Sequence, residues 1–114
     1  MNLFDTGIII EMIKQKQFTP GAISPLTLIE VLRGIDEKKR HKVKHLLEES
    51  FSVLNLDNNI IETYCNLYNT LKKEGTLIPD ADLLIAATAI AHNLTLQTND
   101  QHYQRLKPHR LQLQ

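Results

Sequence analysis

Tryptophan is absent, and cysteine occurs once, at Cys65. One thiol excludes an internal disulfide framework and a cysteine-rich zinc site. No glycine-rich phosphate loop and no G-x-S-x-G elbow is present, so two common catalytic scaffolds are set aside. Neither sign of charge prevails: 13 basic residues balance 13 acidic ones. No global positive field therefore advertises nucleic-acid binding, and any such contact must use local patches. The apolar runs, such as Gly7 to Ile10, are far too short to cross a bilayer. The first residues lack a basic n-region and carry Asp5 and Glu11, so they do not read as an export signal, and the expected location is cytoplasmic, without membrane contact. What remains is ordinary for a globular chain: 114 residues, 42% hydrophobic and 23% charged. That is enough for one domain, residues 1–114, with a core that needs no staples.

Short apolar segments alternate with helical patterns. Leu3-Phe4 and Ala22-Ile23 read as brief buried strands, FSVLNL (51–56) as a longer one and TLQT (95–98) as another; the tail RLQLQ alternates like an edge strand. Between them, helical spacing covers 7–16, 25 to about 34, 36–49, the stretch from Asn58 to Gly75, and an alanine-rich helix opened by Pro79 and Asp80. The last is apolar on nearly every side and is expected to be buried on more than one face. This order predicts a single α/β/α domain around a short, mainly parallel sheet. Sites in such sheets lie at the carboxyl ends of strands. That rule selects Asp5, Ser24 and the run Thr98, Asn99, Asp100.

Each candidate acid also has an ordinary use. Asp5 and Asp100 suit N-caps. Glu30 can pair with Arg33 three residues on. Asp82 sits in a first helical turn, where the dipole favours an acid, although Asp80 already offers the cap. Together they make four acids at strand ends or on adjoining helices. Carboxylates crowded in this way repel, unless some stay protonated or a hard dication such as Mg²⁺ or Mn²⁺ joins them.

Three stretches carry a resemblance: LFDTGIII (3–10), ISPLTLIEVLRG (23–34) and PDADLLIAATAIAHNLTLQTNDQHY (79–103). In order and content they resemble the PIN-domain ribonucleases, most of all the VapC-type toxins of toxin–antitoxin modules. The blocks span about two fifths of the chain, and the acid before LIAATA with the TxD after the next strand is the most specific element. The resemblance implies metal-binding, catalytic acids at Asp5, Glu30, Asp82 and Asp100, with polar helpers at Thr6, Ser24, Thr98 and Asn99. It implies Mg²⁺, or Mn²⁺ in its place, and hydrolysis of RNA phosphodiesters by a metal-activated water, with arrest of translation as the outcome. It further implies a homodimer and a small antitoxin that blocks the acidic site, with promoter DNA bound only through that antitoxin. Three positions depart from the common pattern: Gly7 where Asn or Ser is frequent, Asn99 where Arg is, and Tyr103 where Phe is usual.

Other features have plainer expectations. His41 and His45 stand four apart among lysines and read as a solvated basic face; Lys38, Lys39, Arg40, Lys42 and Lys44 could guide RNA phosphates. Cys65 reads as a semi-buried structural thiol. Leu28, Val31, Leu32 and Ile35 could line a groove for an antitoxin segment, against core packing as the alternative. Two other functions stay open on the residues alone: a housekeeping PIN nuclease in RNA processing, and a non-catalytic α/β interaction module in which the acids are caps and ion pairs.

Overall fold

The five strands are β1 (Asn2–Phe4), β2 (Ala22–Ile23), β3 (Ser52–Val53), β4 (Thr95–Gln97) and β5 (Gln112–Leu113). In the computed structural model, which describes residues 1–114, they form one sheet in the order β3-β2-β1-β4-β5, with every pairing parallel. The helices are α1 (Thr6–Gln15), α2 (Pro25–Leu32), α3 (Glu37–Ser50), α4 (Asn58–Glu74) and α5 (Asp80–Ala91), followed by a 3₁₀ segment, Gln101–His109.

Strand alternation assigns the layers. Leu3, Ala22 and Leu96 face a core shared with Leu67 and Leu71 of α4, Leu83, Ile85 and Ala86 of α5, and Tyr103 and Leu106 of the 3₁₀ segment. Phe4 and Ile23 face the opposite core, with Ile8 and Ile9 of α1, Leu28, Val31 and Leu32 of α2, and Leu47 of α3. The expected α/β/α sandwich follows. Burying one such side chain is worth roughly 1.5–3 kcal/mol, whereas a helix cap is worth about 1 kcal/mol. The apolar faces therefore decide the layering and the caps only fix the ends. Asp5, Ser24 and Asp57 cap α1, α2 and α4 through side-chain oxygens. Gly75 (φ 70°) and Asn93 (φ 54°) take the left-handed positions that end α4 and follow α5.

Gly21 is required by proximity. A Cβ there would lie 2.3 Å from the Phe4 ring and 2.9 Å from the Asn2 carbonyl oxygen, so only glycine lets β2 close on β1.

Several expectations are corrected. The strand read over 51–56 shrinks to Ser52–Val53, because its neighbour β2 has only two residues to pair with. The α5 cap is Pro79, without a side-chain bond; Asp80 is already helical and instead accepts the Tyr64 hydroxyl at 2.8 Å. Cys65 is exposed, because the buried stripe of α4 runs through Ile60, Leu67 and Leu71 and passes it by. Leu28, Val31 and Leu32 belong to the core, although Leu28 and Leu32 also line a hollow beside α3, and of that quartet only Ile35 stays outside the core. The helix from residue 101 had no forerunner in the sequence reading. No helix is long and apolar enough to cross a membrane.

Candidate active site

The sheet order reverses between β1 and β4, since the chain builds outward from β1 to β3 and then returns to β1's other side. Ligand crevices of open α/β sheets form at such reversals, beyond the strand ends. A cleft of about 360 Å³ opens there, and Asp5, Glu30, Asp82 and Asp100 all line it, with Thr6, Asn99 and Tyr103. The four acids come from four elements: the end of β1, α2, α5 and the turn after β4.

Asp5 is held from two sides. One carboxylate oxygen accepts the Ile8 N–H at 3.0 Å, and the other accepts the Thr98 hydroxyl. The Thr98 oxygen in turn accepts the Asp100 N–H at 2.9 Å. Thr98 thus ties the loop after β4 to the end of β1, placing Asp100 beside Asp5. Glu30 accepts the Thr6 hydroxyl at 2.6 Å. Its approach to Arg33 is only 3.9 Å, with the arginine largely exposed, a pair worth little in water. Glu30 is therefore not consumed by that pair. Asp100 Oδ1 accepts the His102 N–H at 2.9 Å and starts the 3₁₀ segment. Asp5 and Asp100 are caps and cleft acids at once, so the two readings of each were never exclusive.

Ser24 behaves differently. It is fully buried, accepts the Leu26 N–H at 3.1 Å and caps α2, and it is not among the residues lining the cleft. Thr6 and Asn99 line the cleft directly, and Thr98 acts from behind Asp5.

Two further residues belong to the site: Tyr103, noted in the sequence only as standing where Phe is usual, and His102, which the sequence did not single out. Tyr103 is almost wholly buried, and its hydroxyl donates to Asp82 Oδ1 at 3.4 Å. His102 places its ring Nδ1 3.1 Å from Asp100 Oδ1. The motif placed both beside Asp100, but only the unforeseen 3₁₀ turn aims them at the acids.

Electrostatics mark the cleft. Burial pushes the Asp82 carboxyl above its ordinary value, the charges of Asp100 and Glu30 push it further, and the Tyr103 hydroxyl partly opposes them. Burial, then the charges of Asp82, Asp5 and Asp100, drive the Tyr103 phenol upward, so it remains a hydrogen-bond donor. A pocket of mutually repelling carboxylates is a donor set for a hard dication, which takes oxygen ligands and cancels the repulsion. The residues present fit such an ion.

Comparison with known proteins places the chain in a family. The PIN-domain family model matches residues 3–107. The chain is 41% identical over 109 residues to Ribonuclease VapC1 of Methanocaldococcus jannaschii, covering 92% of this chain and 80% of that protein. It is 34% identical over 120 residues to Ribonuclease VapC1 of Rickettsia felis, covering 92% and 90%. Among solved structures, VapBC-1 from nontypeable Haemophilus influenzae superposes with a TM-score of 0.84 at 30% identity, covering 99% of this chain and 96% of that one.

Proposed function

The chain belongs to the PIN-domain family, and we propose from that premise that it is a divalent-metal-dependent endoribonuclease, the VapC-type toxin of a toxin–antitoxin pair, with residues 1–114 as its PIN domain. The observation that carries the reading is the convergence of Asp5, Glu30, Asp82 and Asp100 on one cleft at the sheet's reversal. An interaction module whose acids serve only as caps and ion pairs does not need that convergence.

Asp5, Glu30, Asp82 and Asp100 would hold the cation, Mg²⁺ or Mn²⁺. Bound there, such an ion would supply Lewis-acid polarisation of an RNA phosphodiester and of a water for its hydrolysis. Thr98 and Thr6 keep the carboxylates of Asp5 and Glu30 oriented through their hydroxyls. Tyr103 holds Asp82 and closes the floor of the cleft with Ile85. Asn99 stands at the rim, where its amide can meet substrate. The exposed Lys38, Lys39 and Arg40 of α3 would attract phosphates along the approach.

Cleavage of RNA in the cytoplasm arrests translation, which gives the toxin its effect, and a homodimer is its assembly. The partner is a small antitoxin that blocks the acids and alone carries any contact with promoter DNA. Its landing place is the hollow between α2 and α3, lined by Pro25, Leu28, Ile29 and Leu32 and edged by Arg33, Arg40 and Lys44. Ile29, 58% exposed, offers the apolar anchor.

The test is RNA cleavage by purified protein with Mg²⁺ or Mn²⁺, with EDTA, and as Asp82→Asn. Chelation is expected to stop cleavage, and the variant to lose nearly all activity with its fold intact. Equal cleavage with EDTA, or full activity in Asp82→Asn, overturns the reading.

A further inference from the structure

The acid reading leaves His102 without a role, although the fold sets it at the cleft. One ligand atom each of Asp82, Asp100 and His102 lie within 4.8 Å of one another. Donors around one small dication, at bonds of about 2.0–2.2 Å, stand roughly 3–4 Å apart. Shifts of under about an ångström would therefore close the three on a single ion. The His102 side chain is 51% exposed, so about half of it faces solvent and leaves room for such a shift.

A simple ion pair with Asp100 explains the placement less well. Asp100 already starts the turn by accepting the His102 backbone N–H, so the ring is not needed for that. The next residue, Tyr103, is buried and bonded to Asp82, which pins the turn so that position 102 stays beside both carboxylates.

We propose that His102 contributes an imidazole nitrogen to the Asp82–Asp100 side of the cleft, and that the site thereby selects a first-row transition-metal dication over Mg²⁺. This rests on the metal-dependent reading above and extends it to the choice of ion. An all-oxygen set suits Mg²⁺, whereas an imidazole nitrogen adds affinity for transition ions and little for Mg²⁺. His102 would be a selectivity-determining ligand beside the acids, which remain the principal donors.

Mn²⁺ and Mg²⁺ are titrated separately into the intact wild type, His102→Gln and His41→Gln, the last a control on the exposed basic helix. Calorimetry gives the two affinities, and pulsed EPR of bound Mn²⁺ reads any directly coordinated ¹⁴N. The wild type is expected to show nitrogen coupling. In His102→Gln that coupling disappears and the preference for Mn²⁺ over Mg²⁺ narrows by roughly tenfold, while both ions still bind. His41→Gln behaves as the wild type does. A wild-type spectrum without nitrogen coupling, or the same ion preference in His102→Gln, overturns the assignment of His102 and leaves the acid site standing. Binding of neither ion to the wild type overturns the metal reading itself, and this proposal with it. The wild-type spectrum decides the question even if His102→Gln folds poorly.

Discussion

Asp5 shows how much a single carboxylate does here. One oxygen caps α1 and the other receives Thr98 across the sheet. Asn keeps an acceptor for the cap and removes the charge, whereas Ala removes both. Asp5→Asn is therefore expected to hold its melting temperature and lose RNA cleavage, and Asp5→Ala to lose about 1 kcal/mol as well. Calorimetry beside a cleavage assay separates the two. Asp82 adds a pH signature. Its folded-state carboxyl titrates above the ordinary 3.8, so the folded chain holds that proton more tightly than the unfolded one. The stability this gives is fully present below the ordinary value and is lost as pH rises through the raised one. With EDTA present, denaturant melts at about pH 4 and about pH 7 should show a steeper fall in stability for the wild type than for Asp82→Asn. Parallel falls would mean that neither burial nor the neighbouring carboxylates raise Asp82 in the folded chain.

Among the elements, β2 is short but tightly specified. Gly21→Ala forces a Cβ into the Phe4 ring and is expected to cost about 1–3 kcal/mol, as overpacking does. Ser24→Ala, by contrast, removes only the α2 cap. It should cost about 1 kcal/mol while RNA cleavage persists at a temperature where the variant is folded. Loss of activity without loss of stability would return Ser24 to the site. These elements also show what sequence can and cannot reveal. Asp5 and the Thr98–Asp100 run were legible because a polar residue after a short apolar strand falls at its carboxyl end. The burial of α5 was legible because alanine, leucine and isoleucine fill nearly every side. The length of β3 was not, because it depends on how many partners β2 offers. The 3₁₀ segment was not either: Tyr103 and Leu106 are buried three apart, too short a pattern beside Pro108 to announce a helix. With it went the roles of His102 and Tyr103. The placement of Cys65 failed because Tyr64 and Leu67 stand near it in sequence, while the buried stripe of α4 runs through Ile60, Leu67 and Leu71 and leaves it exposed.

At the scale of the molecule, the cleft joins two separately packed halves. Phe4 and α1, α2 and α3 make one core; Leu3 and α4, α5 and the 3₁₀ segment make the other. The acids come from both, Glu30 on α2 and Asp82 on α5. A dication bridging them would bind only the folded arrangement and stabilise it by mass action, by about 2.7 kcal/mol at a hundred times its dissociation constant. Thermal melts with Mn²⁺ should therefore rise by several degrees in the wild type and far less in Asp100→Asn. Equal rises would remove Asp100 from the ion's surroundings.

The bond from Thr98 to Asp5 spans 93 residues of sequence, and the strand it follows pairs with β1 over all three of that strand's residues. Contacts of such separation form late, because a long loop must close first. On the ribosome, β1 can meet β2 early, yet it waits for residues 95–100 before its other side is covered and Asp100 is delivered. A growing chain can thus hold Asp5, Glu30 and Asp82 with no assembled cleft between them. The four-acid cleft is left unassembled, by topology alone, until synthesis has passed the last of the four acids.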